Sequence, residues 1–244
     1  MRTIGVIPAR YQSTRFPGKP LALICGVPMI IRVLNQARLA RCLDNVIVAT
    51  DDERIADTVR QAEGSVVMTD ANLPSGTDRV AAAIAHIRAD HVVNIQGDEP
   101  LIDPLSIDQA VGLLRDDPRA DMATLATPIT DITGLINPNI VKVLVNRHGH
   151  AVYFSRTPIP CPLNQAHLDI SRYLRHIGLY VYRRSCLEHL VSLPPCWSET
   201  VERLEQLRAL DTGYRIAVRV IDRASPGVDT PEDIAIIEAM VNVT

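Results

Sequence analysis

Apolar residues fall along the first half of the chain in short continuous runs, separated by stretches with helical spacing. Residues 3–8, 45–49, 65–68 and 91–95 read as strands. Between them, residues 28–40 place Ile30, Ile31, Leu34, Ala37 and Leu39 on one helical stripe, with Pro28 near the first turn. Residues 52–62 open with Asp52 and Glu53, where negative charge suits the helix dipole, and Gly64 stands where a C-cap is expected. Residues 78–88 and 104–114 continue the rhythm. The strand runs are apolar throughout rather than alternating, as parallel strands covered on both faces are. Strand and helix in alternation predict an α/β fold, a doubly wound and mostly parallel sheet. In such sheets ligands lie beyond the carboxyl ends of the strands, so the loops after Pro8, Ala49, Met68 and Ile95 are the places to look for chemistry.

The second half changes character. Residues 140–145 and 151–155 flank a turn and predict an antiparallel hairpin. Residues 174–182 and 215–221 read as strands and 198–210 as one helix. A closing helix over 231–241 takes Thr230 as its cap. No repeat or linker divides the chain, so one domain over 1–244 is expected, with 137–183 as a hairpin-bearing subdomain.

Composition narrows the classes of function. The 244 residues are 47% hydrophobic and carry a net charge of −3, which argues against a general nucleic-acid binder. No run approaches the eighteen or so apolar residues of a membrane span. The N-terminus reaches Pro8 and Arg10 too soon for a signal peptide, so a cytoplasmic protein is expected. The five cysteines are odd in number and show no CxxC spacing, which predicts reduced thiols rather than a disulfide framework or a zinc ribbon.

The loop after the first strand concentrates positive charge. Arg10, Arg15 and Lys19 lie within ten residues, with Ser13, Thr14 and Gly18 and no acid. It has neither the P-loop pattern nor GxGxxG, yet three cations and backbone N–H groups suit a triphosphate. The plain alternative is a solvated surface loop. After the fourth strand stands 94–100, NIQGDEP. A carboxylate at a strand end, opposite a basic loop, suits Mg²⁺ on nucleotide phosphates, because Mg²⁺ takes few carboxylates plus substrate oxygens. Asp98 is the stronger ligand candidate, since Gly97 allows close backbone approach. Asp229 and Thr230 precede the last helix. By themselves they read as cap residues, and Asp229 becomes functional only if the fold returns it to Asp98. In the middle, Arg156, the stretch from Arg172 to His176, and the acids Glu199, Glu202 and Glu205 with Gln206 suit contacts to a carboxylate or sugar hydroxyls. Each is also an ordinary surface residue type.

Taken together, these segments resemble the 3-deoxy-D-manno-octulosonate (KDO) cytidylyltransferases. The matching pieces are IPARYxSTRxPGKPL at 7–21, VATDD at 48–52, SGTDR at 75–79, NIQGDEP at 94–100 and NPNIVKV at 137–143. YFSRTPIP at 153–160, YLRHIGLYVYR at 173–183, LEQLR at 204–208 and GVDTPEDI at 227–234 follow in order, nearly end to end. The first motif is shared with sialic-acid cytidylyltransferases, whereas RHIGLY, LEQLR and VDTPEDI are specific to the KDO enzymes. The resemblance implies a nucleotide-diphospho-sugar-transferase-like fold with a hairpin insertion used in a homodimer. It implies the reaction of CTP with KDO to give CMP-KDO and pyrophosphate, with Mg²⁺, for lipopolysaccharide synthesis. It also implies roles: Arg10, Ser13 and Lys19 on the nucleotide phosphates; Ser75, Gly76 and Arg79 near the cytosine or ribose; Gln96 between nucleotide and sugar. Asp98 and Asp229 would hold metal, and Arg156, His176, Glu205 and Gln206 would contact the sugar acid. Other acid sugars, the 8-amino analogue of KDO or sialic acid, and a non-catalytic nucleotide binder are the alternatives. The stretch 161–172 is shorter than in many relatives and lacks their Trp-Asp.

Overall fold

The structure, a computed structural model, describes residues 1–12, 16–162, 164 and 168–241. The chain divides into two compact units, one of residues 1–108 and 225–244, the other of 109–224. The expected hairpin-bearing segment 137–183 lies wholly inside the second.

The first unit contains β1 (Thr3–Ala9), a short hairpin of β2 (Leu23–Ile24) and β3 (Val27–Pro28), and α1 (Met29–Arg38). Then come β4 (Asn45–Thr50), α2 (Glu53–Gln61), β5 (Ser65–Met68), α3 (Gly76–Ile84) and β6 (His91–Asn94). Strand β1 pairs in parallel with β6 on one side and β4 on the other, and β4 with β5, as the continuous apolar runs predict. Val6, Val48, Val92 and Val93 are fully buried. Asp52, expected in the first turn, stands one position earlier as the cap of α2, its carboxylate accepting from Arg54 N–H at 3.0 Å. Gly64 is not the left-handed C-cap; Glu63 takes that conformation at φ 55°. Gly64 serves close packing instead, because a Cβ there would stand 2.5 Å from Val59 Cγ1 and 2.9 Å from the Val59 carbonyl oxygen.

The C-terminal helix, Asp233–Val241, belongs to this unit, and hydrophobic packing fixes it there. Val228 and Ile237 are buried in one cluster with Ile24 and Met29, flanked by Phe16, Leu101 and Ile234. The chain end is thereby held against the segment that follows the first strand.

Helix α4 (Pro104–Asp116) carries the chain into the second unit. There follow β7 (Met122–Pro128), α5 (Ile132–Ile136), β8 (Lys142–Val145), β9 (Ala151–Ser155), β10 (Leu174–Arg183), α6 (Arg184–Ser192), α7 (Trp197–Glu202), α8 (Gln206–Asp211) and β11 (Ile216–Val220). Strand β7 pairs parallel to β11 and antiparallel to β10; β8 joins β10 and β9 antiparallel, giving the expected hairpin. The strand at 122–128 escaped the sequence reading: MATLATP has two threonines and a proline and no strong apolar run. The helix expected over 198–210 is broken in two. Arg203 adopts a left-handed conformation at φ 53°, and the chain restarts at Gln206. Glu199, Glu202 and Glu205 therefore do not share one helix.

Candidate active site

In the first unit the loops after β1 and β6 meet. A Cβ on Gly97 would come within 2.9 Å of the Pro8 carbonyl oxygen, so only glycine lets the two loops lie together. Beside this contact a cleft of about 180 Å³ is lined by Arg10, Gln12, Lys19, Gln96 and Asp98, with Pro8 and Pro20 as its walls. Arg10 is fixed by an Nη2 hydrogen bond to the Leu73 carbonyl at 2.7 Å. Lys19 Nζ donates to Asp98 Oδ2 at 2.6 Å and to the Val228 carbonyl at 2.9 Å. Its side chain is 17% exposed and that of Asp98 35% exposed, so the pair is open to a ligand. Ser13 lies outside the described residues.

Tertiary structure also returns Asp229 to this place. The Val228 N–H donates to the Asp98 carbonyl at 2.9 Å, so residue 229 is next to a direct backbone contact with residue 98. The Asp233 carboxylate reaches back to accept from the N–H groups of Asp229 and Thr230, each at 2.8 Å. The contact from Thr230 N–H is the carboxylate half of a capping box, in keeping with Thr230 at the cap position. The backbone bonds from Thr230 and Asp229 lower the Asp233 pKa, and the Lys19 charge adds to them.

Ser75 and Gly76 open α3. Ser75 Oγ accepts from Asp78 N–H at 3.2 Å and donates to its carboxylate at 2.5 Å, while a Cβ on Gly76 would have only Pro8 Cγ near it, at 3.9 Å. The start of the helix therefore borders the same cleft wall. Arg79, which the resemblance sets near the cytosine or ribose, sits on α3. It is fully buried, paired with Asp51 Oδ2 at 3.3 Å and bonded to Thr69 Oγ1. Burial lowers its pKa against the pull of Asp51. It braces the ends of β4 and β5 from inside.

The second unit gathers the other expected residues. His176, on β10, is buried and holds a neutral ring: desolvation, with the Arg175 charge adding to it, pushes its pKa down to about 3. It packs edge-on against Phe154 at 4.9 Å and beside Tyr180 at 5.2 Å. Burial raises the Tyr180 pKa well above its usual value, and the charges of Tyr182 and Glu205 contribute. Gln206 is buried at the start of α8. Arg156 is a clamp. Its Nε donates to the Glu202 carbonyl at 2.6 Å, Nη1 to Pro138 at 3.0 Å and Nη2 to Arg203 at 3.3 Å. Its N–H meets Glu202 Oε2 at 2.9 Å. Three of its five side-chain donors go to main-chain carbonyls, which leaves two.

The sequence reading missed Lys142, Thr124 and Tyr180. Lys142 is fully buried and gives its three protons to the carbonyls of Asn137 (2.9 Å), Ile140 (2.8 Å) and Arg156 (2.7 Å). Its position inside NPNIVKV was visible, but a lysine in an apolar run carries no mark of what it will bond. Thr124 lies in the strand that was not foreseen.

A parallel α/β unit with a lysine–carboxylate pair at adjoining strand-end loops has its charged cleft where α/β sheets bind ligands. Comparison with known proteins gives the class. The family model for cytidylyltransferases matches residues 4–216. The 3-deoxy-manno-octulosonate cytidylyltransferase of Syntrophotalea carbinolica is 51% identical, over 98% of each chain. That of Protochlamydia amoebophila is 46% identical, over 96% of this chain and 92% of its own. A solved structure of CMP:2-keto-3-deoxy-manno-octonic acid synthetase complexed with CTP superposes with a TM-score of 0.94 at 40% identity, covering 100% of this chain and 99% of that one. The chain belongs to the cytidylyltransferase family, and within it to the 3-deoxy-manno-octulosonate cytidylyltransferases.

Proposed function

We propose that the protein activates KDO, joining it to CTP to give CMP-KDO and pyrophosphate, for lipopolysaccharide synthesis. The observation that carries this reading is the junction of Lys19, Asp98 and the segment at Val228–Asp229, which brings one cation and two acids together beside the loops that follow two parallel strands. In the reaction the anomeric hydroxyl of KDO attacks the α-phosphorus of CTP, and the bond to pyrophosphate breaks. Arg10 and Lys19 place positive charge where the pyrophosphate leaves, and electrostatic terms of this kind dominate phosphoryl-type transfer. Ser75 and Gly76 are the proposed contacts to ribose or base, and Gln96 the contact between nucleotide and sugar. His176, Glu205 and Gln206 are the proposed contacts to the acid sugar, with Arg156 holding the turn that bears the last two.

Magnesium suits the donor set. Asp98 already faces a cation, the Lys19 ammonium. Among the described residues no three His, Cys, Asp or Glu side chains gather into a closed metal cage. A site of one or two carboxylates completed by substrate oxygens is the kind Mg²⁺ uses. Asp98 and Asp229 would hold it. When bound, it supplies charge to the phosphates and lowers the pKa of a hydroxyl it ligates.

The same reading takes the protein as a cytoplasmic homodimer. Exposed apolar side chains on the second unit, Val152 on β9 and Trp197 and Val201 on α7, are the surface proposed for the dimer. Pyrophosphate release from CTP tests the function, with KDO, its 8-amino analogue and sialic acid supplied side by side. Release that depends on KDO supports it. Release with sialic acid alone, or with none, overturns it.

A further inference from the structure

We infer that Thr124 is a positioning residue that fixes His176 as the ring protonated at Nε2, so that bare Nδ1 accepts a hydrogen bond from a sugar hydroxyl. The argument is one of donors and acceptors. Thr124 Oγ1 is buried among three groups: the Leu179 carbonyl at 2.8 Å, the Ile177 carbonyl at 3.0 Å and His176 Nε2 at 3.0 Å. A hydroxyl carries one hydrogen. Both carbonyls can only accept, so the hydrogen goes to them, the nearer being Leu179. The oxygen then has only lone pairs to offer to Nε2, and Nε2 must bring the hydrogen. A neutral imidazole has one N–H, which leaves Nδ1 as an acceptor. No described residue is hydrogen-bonded to Nδ1.

The backbone explains why these carbonyls face Thr124. The register of β10 on β7 shifts between Ile177 and Tyr180: Ile177 stands opposite Leu125, and Tyr180 opposite Thr124. Two extra residues bulge from the ladder, and such bulges re-aim the side chains beside them. The Thr124 hydroxyl takes up the carbonyls at the bulge and the adjoining histidine with one atom. Phe154 and Tyr180 hold the plane of the ring. Burial keeps the ring neutral, so His176 offers a lone pair where a cationic histidine would offer two donors and attract a carboxylate. The selection it makes is for a hydroxyl.

The contact to sugar rests on the proposed function; the tautomer does not, and the two are tested separately. Nitrogen-15 histidine spectra of the full chain, with the His176 signals identified by their loss in His176→Asn, read the tautomer directly. Wild type and Thr124→Ser are expected to show Nδ1 bare and Nε2 protonated, and Thr124→Val a mixture of tautomers. Nδ1 protonated in wild type overturns the inference, as does an unchanged tautomer in Thr124→Val. If Thr124→Val does not fold, the wild-type spectrum alone decides the tautomer. In turnover, Thr124→Val is expected to raise KM for KDO about tenfold, the worth of one lost hydrogen bond, with KM for CTP unchanged and Thr124→Ser close to wild type. Equal changes in both KM values overturn the positioning role. Absence of KDO-dependent turnover in wild type overturns the proposed function, while the spectra still judge the tautomer.

Discussion

The two units treat polar side chains in opposite ways. In the first, the groups that matter sit on loops at strand ends, charged and part-exposed, each leaning on another charge: Lys19 on Asp98, with Asp233 close behind. In the second, His176, Lys142 and Gln206 lie within strands and helix starts and are buried, with Arg156 half-buried beside them and Glu205 exposed. His176 is uncharged, Lys142 spends all three protons on carbonyls, and Arg156 spends three of its five side-chain donors on carbonyls. The physical reason is the chemistry each serves. Charge that develops during a reaction is answered by preorganised charges of opposite sign. A sugar is read by the fixed direction of lone pairs and N–H groups, and fixed direction needs burial.

That contrast can be broken in four places. The largest effect is expected at Asp98. Asp98→Asn keeps the shape and removes the charge, and kcat for pyrophosphate release should fall by roughly 10²–10³, about 2.7–4 kcal/mol, with the fold intact by circular dichroism. Turnover near that of the parent would sink its role. In the second unit the corresponding loss is stability. Lys142→Met leaves three buried carbonyls without their donor and should lower the unfolding free energy in urea by about 3 kcal/mol, since each unsatisfied group costs about 1–3. A loss below about half a kcal/mol would show the carbonyls to be satisfied otherwise.

The third effect is a pH dependence. His176 binds its proton near pH 6.5 when unfolded and only at about 3 when folded. Between those values the unfolded state holds more protons, so stability is full above pH 6.5 and drains as pH falls toward 3. The slope from this one group approaches about 1.4 kcal/mol per pH unit. Unfolding titrations at pH 7, 6 and 5 should show wild type losing about 2 kcal/mol more than His176→Gln; parallel curves would mean the ring is protonated in the fold. The smallest effect belongs to Gly97→Ala. Its Cβ meets the Pro8 carbonyl, part of the backbone and slow to yield, so a cost of about 1–2 kcal/mol and a higher KM for CTP are expected. A KM change for KDO alone would move Gly97 to the other half of the contrast.

The parallel strands of the first unit, the acidic start of α2 and the hairpin of β8 and β9 were legible because each is written in neighbouring residues: apolar runs, acids at a helix start, a turn between strands. The motifs carried the family for the same reason. Strand β7 was not legible, since its residues suit a strand only once partners lie on both sides, and the helix expected over 198–210 hid the left-handed turn at Arg203. Arg156 and Arg79 show the limit for the site. An arginine in a motif announces positive charge, but whether that charge faces a ligand or a carbonyl depends on what the rest of the chain brings to it.

By itself the sequence determined the α/β class of the fold, the loops where chemistry would fall and the residue types gathered there, because periodicity and short motifs act over a few residues. Only the tertiary structure decided that Val228 and Asp229 return to Asp98, through the burial of Val228 and Ile237 against Ile24 and Met29. Only it decided, too, which nitrogen of His176 carries the hydrogen. Both depend on groups far apart in the chain, joined by packing that no local pattern encodes.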